Sequence, residues 1–396
     1  MLFIILLFAS VCSEEKKYYW TPAIEGGVDG KLLQVHIVYR HGHREPRAFY
    51  PRDPHASSPI WKNGPSQLTI LGRQQSYQFG QNLRTRYQSL LPKERAWKTV
   101  KASSSDTVRT LMSSSVVLAG LIPPNSEDIW SNITWQPAAI HTTPSDFDNV
   151  LVSHPHCPEY DYLLNQLPNV NDTETKLLYN LLTKYTGKQI ASSKTLLNLY
   201  TCLEIEAQAG LRLPNWTQKI YKTMEKQAAN ALLRSTQTLE LKRLRSGPLL
   251  KKLINFKKYN STYNIHLYCT HDTVVGSLLG SLGFELTEPP NFTSAFMVEY
   301  REVDGEIHAQ FWYSRGPDGE LTRLRLPGCG IRCPFTELSK LVEPLIPRDW
   351  TEDCTMLEYK RYLVSQLRFV FAISVLIVLI GWCIISKNNK ESYEVL

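Results

Sequence analysis

The sequence predicts an α/β fold, on three observations. Leu32 to Tyr39 (LLQVHIVY) is a short apolar run that breaks into Arg40-His41-Gly42, and Tyr263 to Cys269 (YNIHLYC) repeats the layout, ending in Thr270-His271-Asp272. Each reads as a buried strand delivering polar residues at its C-terminal end, where open α/β sheets place ligands. After the first strand, Leu71, Phe79, Leu83, Tyr87 and Leu90 largely follow helical spacing until Pro92 stops the pattern, so a strand is followed by a long helix over roughly 68–90.

The remaining elements follow in order. Residues 146–246 are rich in helix formers and polar residues with few strand-like runs, which predicts a mostly helical insertion, a smaller cap. Thr273 to Leu282 is helical. Ala295 to Tyr300 and Ile307 to Tyr313 alternate like paired strands around an Asp304-Gly305 turn. At 396 residues, 43% hydrophobic and 20% charged, the chain suits one large folded body or two coupled ones, not a disordered segment. The net charge of +7 is modest and spread out. Basic clusters at Lys242 to Arg245 and Lys251 to Lys258 are interleaved with Leu249, Leu250, Leu253, Ile254 and Phe256, which reads as a solvated helix face, with no nucleic-acid partner indicated.

Both ends carry targeting features. Met1 to Ala9 is apolar and uncharged, followed by small residues and then Glu14 and Glu15, the pattern of a cleaved signal peptide over 1–13. Phe369 to Ile385 contains no charged residue and suits a transmembrane helix over 366–386. Basic residues flank both sides of that span, so orientation rests on the signal peptide: 14–365 outside the cytosol, 387–396 a cytoplasmic tail, a single-pass type I membrane protein. Five Asn-x-Ser/Thr sequons (Asn132, Asn171, Asn215, Asn260, Asn291) fall in the lumenal or extracellular segment. Six of the eight cysteines also lie there, and six cysteines allow fifteen pairings.

The chemistry concentrates in Arg40-His41-Gly42-His43-Arg44-Glu45-Pro46. Planar guanidinium groups bind phosphoryl oxygens through paired, charge-assisted hydrogen bonds and stay charged at any relevant pH. A glycine lets the backbone approach closely. An unprotonated imidazole nitrogen facing such a site can attack phosphorus and split hydrolysis into two displacements, and neighbouring arginines keep it unprotonated by lowering its pKa.

Arg40-His41-Gly42-x-Arg44-x-Pro46 together with His271-Asp272 resembles the signature of the histidine acid phosphatases. Gln67-Leu68-Thr69 through Leu71-Gly72-Arg73-Gln74 to Tyr87 is similar to the family's next helix, and Ser104-Ser105-Asp106-x-x-Arg109 to its segment carrying a third phosphate-binding arginine. Trp135-Gln136-Pro137 and His141-Thr142-x-Pro144 match the lysosomal and prostatic branch. The resemblance implies a phosphoglycerate-mutase-like mixed central sheet flanked by helices, with a helical cap between the Arg109 and His271 segments. It also implies His41 as nucleophile, Asp272 as general acid, and Arg40, Arg44, Arg109 and His271 as phosphoryl ligands. A proton-donating Asp272 must be protonated, which accounts for an acidic optimum.

Other readings remain beside it. His41 and His43 with His36, His271 and Asp272 sketch a hydrolytic zinc centre, but three arginines would oppose a cation there, so no metal and no cofactor is expected. The resemblance implies bridges Cys329–Cys333 and Cys157–Cys354. Relatives place the second cysteine of a third bridge where this chain reads Ser294-Ala295, which leaves Cys202 and Cys269 either paired or free. Tyr393-Glu394-Val395-Leu396 resembles the tyrosine-based signals of endocytic adaptors, leaving lysosomal or endosomal membrane and cell surface as destinations. Relatives form homodimers, although no stretch is assignable to an interface. The substrate class is small phosphomonoesters; the alternatives are a narrower phosphatase (phytase or lysophospholipid phosphatase) and a catalytically silent receptor or adhesive glycoprotein.

Overall fold

The computed structural model describes residues 20–24, 26, 29–168, 172–256, 262–355 and 357–393, and in the last helix only the side chains of 362–382. The signal segment over 1–13, the sequons at Asn171 and Asn260, and Glu394 to Leu396 lie outside the described residues. The chain divides into two compact units, Met1–His156 with Asn169–Ile346, and Cys157–Pro168 with Pro347–Leu396.

In the large unit the chain runs β1 (Lys31–Arg40), α1 (Ile70–Arg86), β2 (Val100–Ser105), α2 (Val108–Leu121) and β3 (Ile140–Thr143). In the small unit lies α3 (Pro158–Gln166). The large unit resumes with α4 (Thr173–Thr186), α5 (Ser193–Gln208), α6 (Tyr221–Leu233), α7 (Leu239–Leu253), β4 (Ile265–Thr270) and α8 (Asp272–Ser281). It ends with β5 (Ala295–Val303), β6 (Glu306–Ser314), β7 (Leu321–Leu324), β8 (Cys333–Pro334) and α9 (Phe335–Val342).

The strands form one mixed sheet in the order β3-β2-β4-β1-β5-β6-β7, with β8 beside β6. The β3-β2-β4-β1 half is parallel and the β1-β5-β6-β7 half antiparallel, which is the mixed α/β architecture expected. Val35, Ile37 and Tyr39 of β1 pack into the layer holding Phe79, Leu83, Val117 and Leu121, whereas Val38 packs with Leu249, Val275 and Leu278 on the other face. A strand covered on both faces reads as an unbroken apolar run, which is why LLQVHIVY is visible in sequence.

Local chemistry sets the element ends. Thr69 caps α1 by accepting from the Gly72 amide, and the helix stops at Arg86 with a 3₁₀ turn over Gln88–Leu90, short of the expected 90. The β5–β6 hairpin turns at Asp304 and Gly305, both at positive φ (51° and 84°), the geometry that Asp-Gly suits. Helices α4, α5 and α6 close around their own apolar cluster of Leu178, Leu182, Leu199, Leu203, Met224 and Ala228. One expectation is corrected here: Arg245 of the first basic cluster is not solvated but 4% exposed, donating to the carbonyls of Val152 and Ser153.

The Cys329–Cys333 bridge closes a short loop before α9. In the small unit Cys157–Cys354 ties the start of α3 to the end of α10 (Trp350–Asp353). Among the described residues Cys202 and Cys269 are both free and buried, so their pairing with each other gives way to two thiols. The remaining helix, α11 (Leu357–Tyr393), contains an apolar stretch, Tyr362–Trp382, whose 21 residues extend about 31 Å, enough by length and composition to cross a bilayer. Asn132, Asn215 and Asn291 are exposed.

Candidate active site

Parallel pairing of β1 with β4 puts Arg40 opposite Thr270, so the two polar turns leave the sheet side by side. The His41 amide donates to the Thr270 carbonyl at 3.0 Å, and the His41 and His271 rings stand 5.5 Å apart, edge to face. Gly42 follows against α1, where a Cβ would strike the Gly72 carbonyl oxygen. Only glycine lets the turn pass this close to the helix.

His41 is 3% exposed. Its Nδ1 lies 2.8 Å from the Gly42 carbonyl oxygen, which can only accept, so Nδ1 carries the proton. Nε2 is left as the basic nitrogen and accepts from Arg109 Nε at 3.1 Å. Burial first, then Arg109, His271, Arg40 and Arg44, hold the ring well below the usual histidine pKa. His271 is similarly fixed: Nδ1 accepts from Arg109 Nη2 at 3.3 Å, leaving Nε2–H for Ser105 Oγ at 3.0 Å. Burial and Arg109 push His271 down to about 3.

Arg40, 1% exposed, is held by several partners at once. Its guanidinium stacks 3.8 Å over the Phe292 ring, Nη1 donates to the Pro290 carbonyl at 2.7 Å and approaches Glu204 at 3.4 Å, and Nη2 pairs with Asp272 Oδ2 at 3.0 Å. Asp272 Oδ1 accepts from the Thr273 amide at 2.7 Å. Burial pulls Asp272 upward, but Arg40, Arg44 and His271 outweigh it and hold the carboxyl below its ordinary value. Beside Arg40 the ionised form of the carboxyl is thus the favoured one. Arg44 donates to the Glu45 carbonyl at 2.9 Å, and burial with Arg40 and Arg109 lowers it to about 10. All six residues singled out from sequence therefore gather at one end of the parallel half-sheet.

The zinc sketch does not assemble. His36 faces another layer, stacked 4.4 Å from His266, and both ring nitrogens of His43 are occupied, Nδ1 with Thr69 Oγ1 at 2.8 Å and Nε2 with the Ile205 carbonyl at 2.9 Å. His43 instead fastens the β1 turn to the cap of α1 and the end of α5. Sequence reasoning missed Glu204 and Phe292. Glu204 was detectable: Leu196, Leu199, Tyr200 and Leu203 mark the buried face of α5, and Glu204 falls four residues after Tyr200 on that face, an acid where apolar residues belong.

The sheet order and the arginine-ringed histidine pair define a phosphate-handling α/β enzyme site. A family model for the histidine phosphatase superfamily (branch 2) matches residues 31–304, and the chain belongs to that family. It is 32% identical to prostatic acid phosphatase of Bos taurus over 86% of this chain and 92% of that protein. To lysosomal acid phosphatase of Homo sapiens it is 32% identical over 82% of this chain and 80% of that one. Among solved structures, Hafnia alvei phytase in complex with tartrate aligns with a TM-score of 0.66 at 17% identity, over 83% of this chain and 99% of the phytase, a likeness of fold.

Proposed function

We propose that the chain is an acid phosphatase that hydrolyses small phosphate monoesters by double displacement at His41. The observation that carries this reading is the pair of contacts on the His41 ring: the Gly42 carbonyl accepts from Nδ1–H, and the lone pair of Nε2 faces the guanidinium of Arg109. A phosphoryl group seated among Arg40, Arg44 and Arg109 would meet that lone pair. Nε2 then forms a bond to phosphorus as the ester oxygen leaves, and the oxygen takes a proton from Asp272. In the second step Asp272 accepts a proton from water, water oxygen attacks phosphorus, and the N–P bond breaks to give inorganic phosphate and free His41.

Asp272 gains its proton through the substrate. A bound phosphate draws on Arg40, the partner that keeps Asp272 ionised, and adds negative charge beside it; both raise its pKa. The decisive experiment is turnover of a chromogenic phosphomonoester at about pH 5 by the wild type and His41→Ala. Loss of turnover in the variant is expected; equal rates would remove the role assigned to His41, and no turnover in the wild type would return the chain to the silent-glycoprotein reading.

The same proposal includes a type I membrane anchor through the apolar part of α11, glycosylation of the exposed sequons, residence in the lysosomal or endosomal membrane through Tyr393 to Leu396, and a homodimer. Support comes from the span length of Tyr362–Trp382 and the lysosomal relative. Glycosidase sensitivity of the Asn132 peptide tests the orientation. Unchanged distribution of Tyr393→Ala would remove the sorting signal.

A further inference from the structure

On the side of α5 away from Arg40, three acidic groups meet that phosphate chemistry does not use. Asp53, in the turn after Tyr50, directs Oδ2 at the Cys202 thiol 3.7 Å away, while its Oδ1 accepts from the His55 amide at 2.8 Å. Glu206, one helical turn beyond Cys202, places Oε1 3.6 Å from the same sulfur. One S–H proton cannot serve two carboxylates. The three ligand atoms all lie within 4.8 Å of one another.

Among the described residues, two buried polar atoms of this region have no hydrogen-bond partner. Glu206 is fully buried, yet Oε2 is unpartnered; Tyr50 is 4% exposed and its hydroxyl is unpartnered too. The Tyr50 carbonyl accepts from the Asp53 amide at 3.0 Å, which keeps the two residues in one turn. Unsatisfied buried polar atoms are costly and uncommon in native proteins.

The spacing fits a zinc ion. Tetrahedral zinc, with Zn–S of about 2.3 Å and Zn–O of about 2.1 Å, sets sulfur and oxygen about 3.6 Å apart. The two sulfur–oxygen distances here are 3.6 and 3.7 Å. A sulfur with two carboxylates suits zinc better than the all-oxygen ions calcium and magnesium.

We propose that Asp53, Cys202 and Glu206 form a structural zinc site separate from the phosphate pocket. The ion would clamp the Tyr50–Asp53 turn to α5. The last turns of that helix carry Glu204 to Arg40 and the Ile205 carbonyl to His43.

The test uses the full-length protein in detergent, loaded with zinc, desalted, and assayed for bound metal. One zinc per chain is expected in the wild type and in Cys269→Ala, with at least tenfold weaker retention in Cys202→Ser and in Glu206→Gln. Cadmium should give a thiolate charge-transfer band in the wild type, and zinc should protect Cys202 from alkylation. These wild-type readouts decide the matter even where a variant misfolds. A wild type that retains no zinc, shows no cadmium band and leaves Cys202 open to alkylation would overturn the proposal, as would a folded Cys202→Ser that retains zinc equally.

Discussion

Arg40 and Asp272 form an ion pair of 3.0 Å in which the arginine is almost fully buried and the carboxylate remains partly open. The group proposed to give up a proton is thus an anion until phosphate competes for its partner. The proton matters most where the departing oxygen is a strong base. Asp272→Asn is therefore expected to slow an alkyl phosphate by roughly 10²- to 10⁴-fold and an activated aryl phosphate far less. Comparing kcat/KM for the two esters, which reads only through the first displacement, checks this; equal losses on both would take the proton-donor role from Asp272.

Arg109 serves two histidines, and its charge is the leading electrostatic influence on His41 after burial. Arg109→Gln should weaken phosphate binding and let the His41 pKa rise. Because the nucleophile must be unprotonated, the acid limb of the kcat/KM profile should then move to higher pH. An unmoved limb in an otherwise weakened enzyme would mean that His41 does not control it.

Glu204 lies 3.4 Å from the Arg40 guanidinium, a group proposed to hold phosphate. Burial raises the Glu204 pKa more than Arg40 lowers it, so the comparison belongs above that pKa, where the carboxyl is ionised. There Glu204→Gln leaves more positive potential for an anion, so inorganic phosphate should inhibit several-fold more tightly, with a lower kcat because product release slows. The inhibition constant measured at fixed pH is the readout. A weaker or unchanged constant would mean that Glu204 orients Arg40 rather than opposing phosphate.

The histidine pair was legible because its two strands are buried on both faces and end abruptly in polar residues. The pairing of Arg40 with Thr270 was not, since a parallel partner more than two hundred residues away leaves no local trace. β2 also escaped notice: Val100-Lys101-Ala102-Ser103-Ser104-Ser105 is mostly hydrophilic, yet Ser104 and Ser105 are buried, Ser105 holding His271. Arg245 shows the reverse error, a charge in a basic cluster that tertiary structure buries against two carbonyls. Charge state was the least visible property. Asp272 depends on Arg40 at 3.0 Å, a distance that no spacing along the chain encodes.

His271 links the site to stability. Its folded pKa is pushed down to about 3 from 6.5, by burial and then by Arg109. Between those values the unfolded chain takes up a proton that the folded protein refuses, so stability is fully present above 6.5 and falls as the pH drops through the window. At pH 5 the difference is about 2 kcal/mol for this residue. His271→Gln loses hydrogen bonds at every pH but escapes that penalty, so its destabilisation should be about 2 kcal/mol smaller at pH 5 than at pH 7.5. Urea unfolding of both proteins in phosphate-free buffer measures it. Parallel stability curves for the two would show that His271 is protonated in the folded state and that Arg109 does not keep its Nδ1 free of a proton.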